Sequence, residues 1–173
     1  MTDRLNVFKV FICVAALSTP AVAQGGAADL EFLNRIFEAS NAVSSGEPET
    51  ARAAYQTCTE LGKELSARTD MEAGVRYYFE AEIEGCLSYA MSHGEFSDAT
   101  GDKCSHHMAY AEKLTAAILA AQNQKGVRQE QFTNLRDSLQ RASEVGPQHY
   151  GCAGNYAKLL QSLPATDAIV SAD

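Results

Sequence analysis

The chain has no tryptophan, only four prolines in 173 residues, and 14 basic side chains against 22 acidic ones. Each shortage excludes something. A formal charge of -8 and a pI near 5.0 remove the basic footprint that a phosphate backbone or an anionic membrane surface requires. No apolar run reaches the about 20 residues needed to cross a bilayer. No stretch alternates apolar and polar residues between Asn-Gly or Asp-Gly turns, so there is no strand signal. G-x-S-x-G, H-E-x-x-H, C-x-x-C and phosphate-binding glycine loops are all missing, and no motif places a histidine as base for a serine or cysteine nucleophile. Neither an enzyme nor a cofactor site is indicated. What is present is 46 % hydrophobic residues, enough apolar surface to offset the ordering entropy of one folded domain.

The first 23 residues have a different character. Arg4 and Lys9 precede an apolar run from Val10 to Leu17, followed by Ser18-Thr19-Pro20 and the small triplet Ala21-Val22-Ala23. This is the pattern of a secretory signal peptide cleaved after Ala23, and its short Ala-Val-Ala end suits a bacterial periplasm. Cleavage removes one Asp, one Arg and one Lys, leaving the mature chain one charge more negative. Cys13 leaves with the signal. Cys58, Cys86, Cys104 and Cys152 remain, an even number in an oxidising compartment, which predicts two disulfides.

The mature chain reads as six helices in three antiparallel hairpins, a single all-α domain over residues 24–164 with a flexible tail at 165–173. Leu30, Leu33, Ile36, Phe37 and Val43 recur at helical spacing over 29–45. Pro48 opens a second helix that carries Ala51, Ala54, Tyr55, Cys58, Leu61 and Leu65 to about residue 67. Thr69-Asp70-Met71-Glu72 has capping-box spacing, predicting the start of a third helix with Val75, Phe79, Ile83, Cys86 and Ala90 on one stripe. A turn-rich stretch, Glu95 to Lys103, separates it from a fourth helix over about 104–124 that Gly126 closes. Phe132, Leu135, Leu139 and Ala142 mark a fifth helix, stopped by Gly146-Pro147. Cys152, Tyr156, Leu159 and Leu163 mark a sixth, stopped by Pro164. If the third and fourth helices fold back about a turn near residue 96, Cys86 and Cys104 lie level. That spacing favours Cys86–Cys104 with Cys58–Cys152 among the three possible pairings.

Gly46-Glu47-Pro48-Glu49-Thr50-Ala51-Arg52-Ala53-Ala54-Tyr55-Gln56-Thr57-Cys58-Thr59-Glu60-Leu61 resembles the second helix of a tetratricopeptide repeat: Gly, Ala five on, an aromatic four later, a small residue three after that. Gly94 to Ala99 restarts the phase 48 residues on, but Lys103 stands where the aromatic belongs, and 48 exceeds that family's period of about 34. The resemblance implies a degenerate tetratricopeptide-like stack; an unrelated disulfide-stapled helical bundle is the other reading of the same periodicity. Cys86-Leu87-Ser88-Tyr89-Ala90-Met91-Ser92-His93-Gly94, in an exported all-α chain, is similar to a stretch of periplasmic immunity proteins that neutralise cell-wall-degrading type VI secretion effectors. That likeness implies a function class and no residue roles.

Two clusters offer function. Tyr77, Tyr78, Glu80 and Glu84, with Glu95 in the following turn, form a candidate partner-binding face, because tyrosine is favoured at protein contacts and an acidic surface complements a basic or cell-wall-acting partner. Glu80, Glu82 and Glu84 read as a solvated face rather than paired catalytic carboxylates. His93, Asp98, Asp102, Cys104, His106 and His107 could ligate a metal or small ligand. However, adjacent His106 and His107 diverge by about 100° on a helix, and the plainer reading is a polar turn capping helix four. The expected function is therefore an exported, non-enzymatic protein that binds another protein as inhibitor, adaptor or immunity-type partner, with a homo-oligomer compatible with it.

Overall fold

The computed structural model describes residues 27–43, 47–94, 96, 101–122 and 129–164. Among them are six α-helices: α1 (Ala27–Ala42), α2 (Pro48–Ala67), α3 (Ala73–His93), α4 (Lys103–Gln122), α5 (Gln129–Val145) and α6 (Tyr156–Gln161), with a π-turn, Gly146–Tyr150, between the last two. No strand occurs among these residues. The helices pack as three successive antiparallel hairpins, and α3 with α4 share the largest interface. The expected signal segment, Glu95, Asp98, Gly126 and the tail at 165–173 lie outside the described residues.

Pro48 takes the first helical turn of α2, where its missing N–H costs nothing. Arg68, just past the end of α2, pairs with Asp29 of α1 and places its guanidinium 5.7 Å from the Phe32 ring centre. Phe32, Leu33 and Ile36 thereby reach the core, whereas Leu30, expected on the same stripe, is 43 % exposed. Entry into α3 differs from the capping-box expectation. Its N-cap is Glu72, and no side chain caps it. The corner is held instead by Arg76, whose guanidinium donates to the carbonyls of Leu65 and Arg68. These belong to the orphan acceptors at the end of α2, so one cation satisfies one helix while it positions the next.

α3 is the centre of the molecule, flanked by α2 on one side and α4 on the other. Small residues permit this approach: Ala51, Ala54, Ala81, Ala90 and Ala111 are all buried, and Gly85 lies against the Tyr110 ring. Around them pack Leu33, Ile36, Leu61, Leu65, Phe79, Ile83, Leu114 and Ile118, with Phe32 and Phe79 stacked at 5.4 Å.

Two disulfides staple the bundle, but their connectivity corrects the expected one. Cys58 bonds Cys86, joining α2 to α3, and Cys104 bonds Cys152, joining the start of α4 to the segment before α6. The fold-back is real, since Ser88 Oγ donates to the Lys103 carbonyl at 2.8 Å. Being level is only half of the condition. Cys86 lies two residues before Ser88, about 200° round the helix, and therefore faces α2 rather than α4.

The C-terminal end departs from expectation as well. Gly146-Pro147 ends the α-helical hydrogen bonding but not the coil, which widens into the π-turn and stops at Gly151, at φ +67°. Gly146 must be glycine because a Cβ would fall on the Tyr156 phenol. The Gly146 carbonyl accepts from the amides of Gly151 and Cys152. Cys152 is consequently outside α6, which begins four residues later with Asn155 accepting from the Lys158 amide.

Candidate functional site

The face proposed from the sequence is a contact between helices. Tyr78 is 5 % exposed. Glu84 Oε2 lies 2.6 Å from His106 Nδ1, and Glu80 Oε2 lies 2.5 Å from Lys113 Nζ, both across the α3/α4 interface. Lys113 also stands 5.7 Å from the centre of the Tyr77 ring. Glu80, Glu84 and Tyr77 are thus brought together with α4, and of the two tyrosines of that face Tyr77 stays partly accessible.

The polar turn resolves into separate jobs. Asp102 caps α4: its Oδ1 accepts the amides of Cys104 at 2.7 Å and Ser105 at 2.9 Å, and Ser105 Oγ accepts the Asp102 amide in return. The Ser105 and Cys104 amides hold the Asp102 carboxyl below its ordinary range. His93 Nδ1 meets the Tyr89 carbonyl at 3.0 Å, His106 meets Glu84, and His107 Nδ1 meets the Tyr156 hydroxyl at 2.8 Å. Three imidazoles therefore turn toward three different partners. Among the described residues, no group of three or more His, Cys, Asp or Glu could hold a metal ion.

Sequence reasoning missed a buried polar cluster at the C-terminal end of the bundle. His107 is 2 % exposed and lies among Tyr110, Tyr150 and Tyr156, with ring centres 5.9, 4.6 and 5.7 Å away. Its Nε2 is buried with no hydrogen-bond partner. Burial depresses its pKa to about 4, so the ring is neutral at physiological pH. Burial likewise raises the Tyr150 hydroxyl to about 12 and pushes Tyr110 and Tyr156 upward. Glu82 is partly buried: desolvation raises its carboxyl to about 7 against the opposing effect of the Tyr78 hydroxyl. The signal for Glu82 was available. α3 carries apolar side chains round most of its circumference, the mark of a central helix with no fully solvated face.

Exposed acidic side chains are spread over the described residues, Glu47, Glu49, Asp70, Glu112, Asp137 and Glu144 among them. Glu31 and Glu38 on α1 and Glu60 and Glu64 on α2 share the outer face of the first hairpin, bridged by Arg35 to Glu64 at 2.9 Å. Beside it, Pro48, Glu49, Arg52, Ala53, Gln56, Gly94 and Phe96 line an open groove of about 270 Å³. Phe96 stacks on Tyr55 at 5.1 Å with the Arg52 guanidinium 5.4 Å from its ring.

No protein-family model, curated protein or solved structure matches the chain. Two properties define its class on physical grounds: an all-α architecture, and two disulfides, one joining α2 to α3 and the other joining α4 to the segment before α6. No helix among the described residues is long and apolar enough to cross a membrane.

Proposed function

We propose that the chain is an exported, non-enzymatic helical protein that acts by binding another protein, as an inhibitor, adaptor or immunity-type partner of basic character. The observation that carries this reading is how the acidic groups divide. Glu80 and Glu84 are spent on contacts between helices and Asp102 on a cap, while Glu31, Glu38, Glu60 and Glu64 face outward from the first hairpin, whose α2 is cross-linked to α3. A rigid acidic face steers a basic partner and loses little entropy on docking. The tetratricopeptide-like stretch 46–61 lies on the same hairpin. Export rests on the signal-like residues 1–23 and on the paired cysteines, which persist in an oxidising compartment such as the periplasm.

The test is capture of partners by the tagged mature chain, residues 24–173, from its host's periplasm, against two variants. One is Glu31→Gln/Glu38→Gln/Glu60→Gln, which removes acid from the outer face; the other is Tyr77→Ala. A single basic protein retained by the wild type, released by raised salt and lost with the triple variant supports the reading. Equal capture by wild type and triple variant, or no specific capture, overturns it.

A further inference from the structure

The two disulfides differ at one end: Cys58, Cys86 and Cys152 are all buried, and Cys104 is partly exposed. Cys58 and Cys86 are 0 % and 2 % exposed, enclosed by α2 and α3 among Ala54, Leu61 and Phe79. No external thiolate reaches either sulfur without opening the core. Cys104 is partly exposed, in the first turn of α4 beside exposed Gly101, Asp102 and Ser105. Its partner Cys152 lies in the irregular stretch between the π-turn and α6.

What Cys152 anchors is small. The π-turn has five residues and α6 has six, too short for stability as isolated helix. Apart from the disulfide, this strap is held by the Tyr156 hydroxyl on His107, by Tyr150 against Ser88 and Ser92, by Leu163, and by Arg136 donating to the Pro164 carbonyl at 2.7 Å. It also covers His107, which lies one turn after Cys104 on α4 and keeps a buried Nε2 without a partner.

We infer that Cys104–Cys152 is a reducible latch, a redox modification site distinct from the permanent Cys58–Cys86 staple, and that opening it releases residues 146–164 from the bundle. The chemistry needs a dithiol reductant. Its thiolate attacks the Sγ of Cys104, the more exposed residue of the pair, forming a mixed disulfide there and breaking the bond to Cys152, which leaves with the electron pair and takes a proton. The reductant's second thiolate then attacks its own sulfur in the mixed disulfide and expels Cys104 as thiolate, which is protonated in turn. The dithiol ends as a disulfide, and two electrons and two protons reside on Cys104 and Cys152. Release follows because the strap loses its only covalent tie to α4, and such short peripheral elements open at the lowest free energy in a fold.

The experiment treats the oxidised full chain with dithiothreitol under native conditions, quenches with an alkylating reagent at intervals and maps the labelled cysteines by mass spectrometry. Cys104 and Cys152 should label at least about tenfold faster than Cys58 and Cys86. Hydrogen exchange on the singly reduced species should show loss of amide protection over 146–164 and retention in α2 and α3. A Cys104→Ser/Cys152→Ser variant should reproduce that pattern without reductant. Simultaneous labelling of all four cysteines, or earlier labelling of Cys58 and Cys86, overturns the inference. Full protection of 146–164 after reduction overturns the release.

Discussion

The first three helices and the C-terminal strap solve the same problem in different ways. α1 to α3 bury a continuous apolar core of Leu33, Ile36, Leu61, Leu65, Phe79 and Ile83, and add a disulfide to helices that already enclose it. The strap buries three tyrosines and a histidine under two short turns, and relies on its disulfide to stay in place. On the chain-entropy model, closing loops of 28 and 48 residues contributes about 3 to 5 kcal/mol each. A similar contribution weighs far more in the region with less apolar burial.

Deleting core volume is the harshest way to probe that contrast. Phe79 is fully buried against Phe32, and Phe79→Ala should cost about 4 kcal/mol in urea unfolding, against about 1 kcal/mol for Leu159→Ala on the half-buried α6. Comparable losses would erase the distinction between the regions.

pH acts with opposite sign on the buried His107 and the partly buried Glu82. Glu82 is raised from 4.5 to about 7, so its contribution to stability is complete below pH 4.5 and is lost as pH rises through 7. His107 is lowered from 6.5 to about 4, so its contribution is complete above pH 6.5 and is lost as pH falls through 4. Each is worth about 3 kcal/mol over its window, and the windows overlap between pH 4.5 and 6.5. The two slopes cancel there, and the wild-type Tm should be nearly flat. Glu82→Gln should unmask a Tm that falls on acidification, and His107→Gln one that rises. Matching profiles in all three proteins would mean that one of these groups is not desolvated.

Gly146→Ala forces a Cβ against the Tyr156 phenol and should cost about 2 kcal/mol. The loss should concentrate in the strap, read as weakened hydrogen-exchange protection at 146–164 with α2 unchanged. The smallest effect belongs to the α3/α4 ion pair. Lys113 and Glu80 side chains are 39 % and 26 % exposed, and Lys113→Ala should change stability by less than about 1 kcal/mol.

Much of the architecture was legible in the residues. Pro48 placed the start of α2 where it is found, and the stripe from Val75 to Ala90 traced α3 to its end at His93. The failures share a cause: linear spacing fixes height along a helix but not which neighbour a side chain faces. Cys86 sits level with the start of α4 and bonds α2 instead. Tyr77 and Tyr78 were both offered as a binding face, and the packing of α3 between two neighbours buries Tyr78 alongside Phe79. Thr69-x-x-Glu72 had the right letters, but Arg76 already stitched that corner from outside it. Glu82 was read as solvated from its charge, against the all-round apolar character of α3, and the His107 cluster was hidden because only the assembled bundle shows what covers it.

The division into a core staple and a strap latch rests on connectivity, which one measurement reads directly. Proteolysis of the oxidised chain without reductant, followed by mass spectrometry of the cross-linked peptides, should return Cys58 joined to Cys86 and Cys104 joined to Cys152. Peptides joining Cys86 to Cys104 and Cys58 to Cys152 would contradict the account.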